Sequence, residues 1–200
     1  MKYFKLSVAL ILFVFSLNAK TLNFSGKMII DDDTGTIINS DTGSDLMIIF
    51  NKKYHYALVL PYHEKSSFKI EENNYALFGN LGLLNISLEV FENNKEDQLT
   101  YLTNLNKMFI DNKDKYGVYN SKLLDFNKNK VLVTLVNVYN ITKSEEHKNI
   151  YQINYFSTKT FENVRYKLHF SVITRSKDIN IDDEKYLGFM TKGFNIDYER

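Results

Sequence analysis

Residues 130–140, "KVLVTLVNVYN", are apolar on both faces of an extended chain. Val131, Val133 and Leu135 fall on one side, Leu132, Val136 and Val138 on the other. A strand with one wet face alternates apolar and polar residues, whereas one that is apolar throughout needs cover on both faces. This segment therefore predicts a central strand in a sheet held between two other layers.

The neighbouring strands are legible from alternation. In "LLNISLEVF", Leu84, Ile86, Leu88 and Val90 oppose Asn85, Ser87 and Glu89. In "VRYKLHFSVIT", Val164, Tyr166, Leu168, Phe170 and Val172 read as inward, and Arg165, Lys167, His169 and Ser171 as outward. "NIYQINYFS" supplies a further strand, with Tyr151, Ile153 and Tyr155 on one face, read as core in preference to a ligand groove shared with Tyr139. The polar breaks "KSEEHK" and "TKTFEN" suit antiparallel hairpins. Ahead of these, "KMII", "TIIN", "LMIIF" and "YHYALVL" are runs of strand length, the last ended by Pro61.

Two helices are available as cover. In "NNKEDQLTYLTNLNKMFIDNK", Leu99, Leu102, Leu105 and Phe109 recur every three to four residues. Asn93 or Asn94 is the expected cap, with Glu96 and Asp97 in the first turn. Near the C-terminus, Asp182 or Asp183 caps a helix whose apolar face is Tyr186, Leu187 and Met190. Gly193 follows at the left-handed position, with Phe194 as its hydrophobic contact. The predicted class is α+β: an antiparallel β-sheet with a long central helix and a C-terminal helix packed on it, preceded by an N-terminal β-meander. Residues 20–200 form one domain, a β-meander extension at 20–52 and a core at 54–197.

Residues 1–19 read as a signal peptide. Lys2 and Lys5 precede an apolar run from Leu6 to Leu17, and Ala19 stands before the cut. The run is shorter than a membrane span, so no span is expected once the leader is cleaved. Cleavage removes two of the 25 basic residues and none of the 24 acidic ones, leaving 23 against 24. That balance is no footprint for nucleic acid, and no polybasic stretch marks a site for anionic lipid. The chain has no Cys, so a lipoprotein anchor is excluded, and a secreted eukaryotic domain of this size would be expected to carry disulfides. A periplasmic or secreted protein of a Gram-negative bacterium fits.

"DDDTGTIINSDTGSD" holds Asp-Thr-Gly twice, at Asp33 and Asp41, each followed by a hydroxyl residue as in aspartic peptidases. Such an enzyme needs two carboxylates sharing a proton. Two copies flanking one short strand point away from each other, which leaves a dimeric peptidase as the enzymatic alternative. Asp31, Asp33, Asp41 and Asp45 are candidate cation ligands, but neither register of an EF-hand loop fits, so a calcium-binding surface module is a second alternative. Two acidic hairpin turns are the favoured reading. His55, His63, His147 and His169 have no metal-site spacing. No nucleophile–base pair and no cofactor motif stands out, so no cofactor is expected.

"YALVLPY", then "LLNISLEVF" followed by a long helix, then the meander "VLVTLVNVY", "IYQINYFS" and "VRYKLHFSVI" with a closing "KGFNI", resemble the PsbP/Mog1/DcrB-like α/β/α group over about residues 54–197. Two features depart from it. Tyr62 and His63 stand where that group commonly has a Trp after the early Pro, and the acidic β segment before Lys52 is extra. The resemblance implies an accessory or assembly factor that binds an envelope protein or a small ligand.

Overall fold

The computed structural model describes residues 20–23, 29–31, 36–39, 46–61, 66–71, 75–92, 96–181, 186–188 and 193–196, with backbone alone before Met47 and for Asn195 and Ile196. The leader, the predicted caps at Asn93, Asn94, Asp182 and Asp183, and Met190 lie outside them.

The described strands form two antiparallel sheets. The larger comprises β1 (Lys20–Asn23), β6 (Ser67–Glu71), β7 (Ala76–Leu81), β8 (Leu84–Glu92), β9 (Val118–Phe126), β10 (Asn129–Asn137), β11 (Tyr151–Phe161) and β12 (Val164–Thr174). Its order is β1-β6-β7-β8-β12-β11-β10-β9. The smaller comprises β2 (Ile29–Asp31), β3 (Thr36–Asn39), β4 (Leu46–Asn51), β5 (Tyr56–Pro61) and β13 (Phe194–Ile196), in the order β13-β5-β4-β3-β2. The N-terminal strands are thus shared between the sheets: β1 borders β6, and β4 borders β5.

The doubly apolar segment is β10, and both its faces are covered as its composition demands. Val131, Val133 and Leu135 join the core between the sheets, with Met47, Ile49 and Leu58 from the smaller one. Leu132 and Val136 pack on the other side beneath α1 (Gln98–Asp111), with Leu102, Leu105 and Phe109. The face away from α1 is covered mainly by a sheet rather than a helix. The C-terminal helical residues 186–188 join that layer, Tyr186 lying 5.8 Å from Tyr155 between ring centroids. Tyr151, Ile153 and Tyr155 are core, as expected.

Several local expectations shift. The α1 cap is Asp97, whose carboxylate accepts from the amides of Leu99 and Thr100 at 2.9 and 3.1 Å. Capping one turn later than predicted leaves Leu99 exposed. β10 ends at Asn137, whose side chain accepts from the Tyr139 amide at 2.8 Å and starts the short helix α3 (Val138–Thr142). Tyr139 therefore leaves the sheet. Phe194 pairs with Leu58 in β13, and the helix end that it was expected to cap lies outside the described residues.

The two ends of the large sheet differ. Polar two-residue turns, Asn127–Lys128 and Glu162–Asn163, close one end. At the other lie the Gly82–Leu83 turn, α2 (Lys113–Tyr116), α3 and a 3-10 turn at Glu145–His147.

Candidate functional site

α1 rests on β9, β10 and β11 and stops short of β12 and β8. The face it half covers carries the polar side chains of those two strands. The residues expected to face solvent here are partly enclosed instead: Arg165, Ser171 and Ser87 are buried. Alternation marks which face a side chain takes but not what later packs on it.

Polar residues line up across this face. Asn80 lies opposite Asn85, Asn85 opposite Ser171, Ser171 opposite Asn154, Asn154 opposite Thr134, and Thr134 opposite Ser121. Asn80 donates to Asn85 at 3.1 Å, Asn154 to Thr134 at 3.4 Å, and Ser121 to Asn106 of α1 at 2.6 Å. The Ser171 hydroxyl, fully buried, has no partner among the described residues.

A cleft opens beside this row, between Tyr101 of α1, Ser87 and Glu89 of β8, Lys167 and His169 of β12, and Phe156 of β11. Its free volume is about 20 Å³, room for one water. His169 is held on two sides. Its ring lies flat on Phe156, centroids 4.4 Å apart and planes 7° from parallel, and its Nε2 is 3.0 Å from Asn154 Oδ1. Asn154 spends its amide hydrogens on Thr134 and on the Gln152 carbonyl, at 3.4 and 3.5 Å, so Oδ1 accepts and Nε2 donates. Nδ1 then carries the lone pair. Burial pushes the imidazole down to about 4, so it is neutral at physiological pH. Part of the residue is still reached by solvent, through the cleft.

Lys167 and Glu89 face each other across the strand pair. Burial pushes the Lys167 ammonium down and the Glu89 carboxyl up, and each partner's charge opposes the shift of the other. The ammonium lies 4.1 Å from the Tyr101 ring centroid and 4.5 Å from that of Phe91, a cation–π contact on both sides. Burial, then the charge of Glu89, raises the Tyr101 phenol. Arg165 meets Glu96, just ahead of α1, at 3.4 Å. Ser87 stands opposite His169 in register, yet no hydrogen bond joins them. The cleft thus offers donors, acceptors and aromatic faces for recognition, with no aligned nucleophile–base pair among the described residues.

Of the predicted cation ligands, Asp31 ends β2 opposite Thr36, while Asp33, Asp41 and Asp45 lie outside the described residues. β2, β3 and β4 pair as successive antiparallel neighbours around both Asp-Thr-Gly stretches, the arrangement expected of hairpins. His55 sits in a turn at φ 49°, His63 lies outside the described residues, and His147 Nδ1 is 2.8 Å from the Thr142 hydroxyl. Among the described histidines only His169 enters the cleft, and its one sequence signal was a polar position in an alternating strand.

No family model matches the chain, and no curated protein matches it. A solved chain from Bacteroides thetaiotaomicron VPI-5482 aligns with 86% of this chain and 49% of its own, at 11% identity and a TM-score of 0.31. This chain spans about half the length of that one, and likeness at that level carries no argument about fold or function.

Proposed function

We propose that this is an exported bacterial protein, periplasmic or secreted, that works by binding an envelope protein or a small ligand as an accessory or assembly factor. The observation that carries the binding role is the half-covered sheet face and the polar cleft lined by Glu89, Tyr101, Lys167 and His169. The export reading is supported by the basic and apolar pattern of residues 2–17. The resemblance to the PsbP/Mog1/DcrB-like group points the same way, as analogy.

The test is expression of the full chain in a Gram-negative host. The expected result is a product in the envelope or medium with Lys20 as its N-terminal residue, and capture of a partner from that fraction after cross-linking. A cytosolic product retaining Met1 would overturn the export reading. Pepstatin-sensitive cleavage of casein, abolished by Asp33→Asn or Asp41→Asn, would overturn the binding reading in favour of a peptidase.

A further inference from the structure

β12 carries Lys167 on the sheet face that α1 leaves half covered. Register fixes its neighbours: Glu89 of β8 stands opposite on one side and Thr158 of β11 on the other. Directly opposite side chains of an antiparallel pair share a face, with Cβ atoms about 5 Å apart. Hydrogen-bonding capacity in this row is unspent. The Thr158 hydroxyl is buried and has no partner among the described residues. The Lys167 ammonium meets rings instead, the Tyr101 and Phe91 centroids at 4.1 and 4.5 Å. No hydrogen bond or ion pair reaches it among the described residues. Other lysines of the fold are tied down. Lys130 donates to Asp125 at 2.6 Å, and Lys159, whose ammonium burial also pushes down, donates to the Phe194 carbonyl.

An amine held by aromatic faces alone keeps its nitrogen free for chemistry once its extra proton leaves. Glu89 is placed to take that proton, and burial works against the charge on both partners. A desolvated lysine in its neutral form is a nucleophile for a carbonyl carbon. The cleft has room for the electrophile: its free volume of about 20 Å³ is lined by Lys167, Glu89, Ser87 and Leu105 among others. That is the size of one water, and so of a carbonyl end with little beyond it. The product must also suit the site. Acylation would cancel the charge on Lys167 and strand Glu89 without a counter-charge. An iminium keeps a cation between the two rings and opposite Glu89.

We infer that Lys167 condenses with short aliphatic aldehydes to form a Schiff base in this cleft, with Glu89 as the acid that releases water. The amine lone pair attacks the carbonyl carbon, a C–N bond forms, and the C=O π pair moves to oxygen. That oxygen takes the proton that nitrogen gives up. The C–O bond of the carbinolamine then breaks, its oxygen leaving as water with the Glu89 proton while the nitrogen lone pair closes C=N. The products are an iminium, water and the Glu89 carboxylate, and hydrolysis is the reverse. This gives the small-ligand arm of the binding reading a chemical class and rests on the same cleft. Capture of a protein partner is a separate readout that its failure would leave standing.

The full chain is mixed with limiting acetaldehyde near neutral pH and reduced with borohydride, which fixes each imine as an ethyl group that peptide mass spectrometry locates. The expected result is ethylation of Lys167 well above that of exposed Lys107 and of Lys159, with the preference lost in urea. Benzaldehyde, too wide for the cleft, should label Lys107 and spare Lys167. Glu89→Gln should slow labelling of Lys167 about a hundred-fold, the lower range for a positioned general acid, and leave Lys107 unchanged. A Glu89 that merely held the ammonium would do the opposite, since its removal frees the amine. Lys167 labelled no faster than Lys107, or equally fast in urea, overturns the proposal. Unchanged or faster labelling in Glu89→Gln overturns the part given to Glu89. The comparison within the wild-type chain decides the site even if that variant fails to fold.

Discussion

His169 and Phe156, cross-strand partners on β12 and β11, stack face to face with ring centroids 4.4 Å apart and planes 7° from parallel. The stack closes the floor of the cleft and fixes the imidazole so that Nε2 meets Asn154 at 3.0 Å. Its electrostatic consequence follows from burial. With the folded-state value pushed down to about 4 from the ordinary 6.5, the unfolded chain takes up a proton that the native state refuses.

Stability is therefore expected to fall as pH drops from about 6.5 to about 4, by up to about 3 kcal/mol from this residue. His169→Gln keeps an N–H donor for Asn154 and removes the titration. Urea midpoints at pH 7 and near 4.5 should show a smaller loss for the variant than for the wild type. Equal losses would mean that His169 titrates normally in the fold.

The one-turn shift in the α1 cap decides which leucine matters. Phe109 is buried against Tyr116 and Phe156 at 5.9 and 5.8 Å between centroids, while Leu99 is 48% exposed. Phe109→Ala should cost about 3–5 kcal/mol in urea unfolding. Leu99→Ala should stay within about 0.5 kcal/mol. Similar costs for the two would put Leu99 back in the apolar stripe.

Gly79 lies mid-strand in β7 because the Phe68 ring covers it. A Cβ there would stand 2.5 Å from Phe68 Cε1 and 2.7 Å from Ile86 Cγ2. Gly79→Ala is expected to destabilise by about 1–3 kcal/mol through overpacking. Phe68→Leu in the same chain should cost less than it does alone, because the shorter side chain relieves the clash. A double-mutant cycle with no coupling would remove that explanation.

Calcium is expected to leave the thermal midpoint unchanged. A cation held only by the native state must raise the midpoint, and the acidic stretch from Asp31 to Asp45 is read as turns. A rise at millimolar calcium that Asp31→Asn or Asp45→Asn abolishes would establish the ion site.

Strands β2, β3, β4, β5 and β10 were legible in the sequence as apolar runs, and β8, β11, β12 and helix α1 from the period within one short segment. β6, β7 and β9 were not. β7 carries Gly79, which reads as a break until the Phe68 ring above it is known. β9 is an edge strand, half-buried on both faces, so "VYNSKLLDF" has no clean alternation. His169 was visible as a polar position, but not as a buried neutral imidazole, because no local pattern says where α1 stops.

The sequence by itself determined the layered α+β class, since the doubly apolar run at 131–136 cannot fold without cover on both sides. It also determined the faces, because a side chain's side of a strand follows from parity alone. What covers each face, and what meets on it, depended on contacts between distant segments. A second sheet rather than a helix closes the face away from α1. Glu89, Thr158 and Lys167 are set in one row by the register of three strands, and Tyr101 of α1 reaches the same ammonium. Periodicity is a property of neighbours along the chain, whereas that row exists only where separate segments converge.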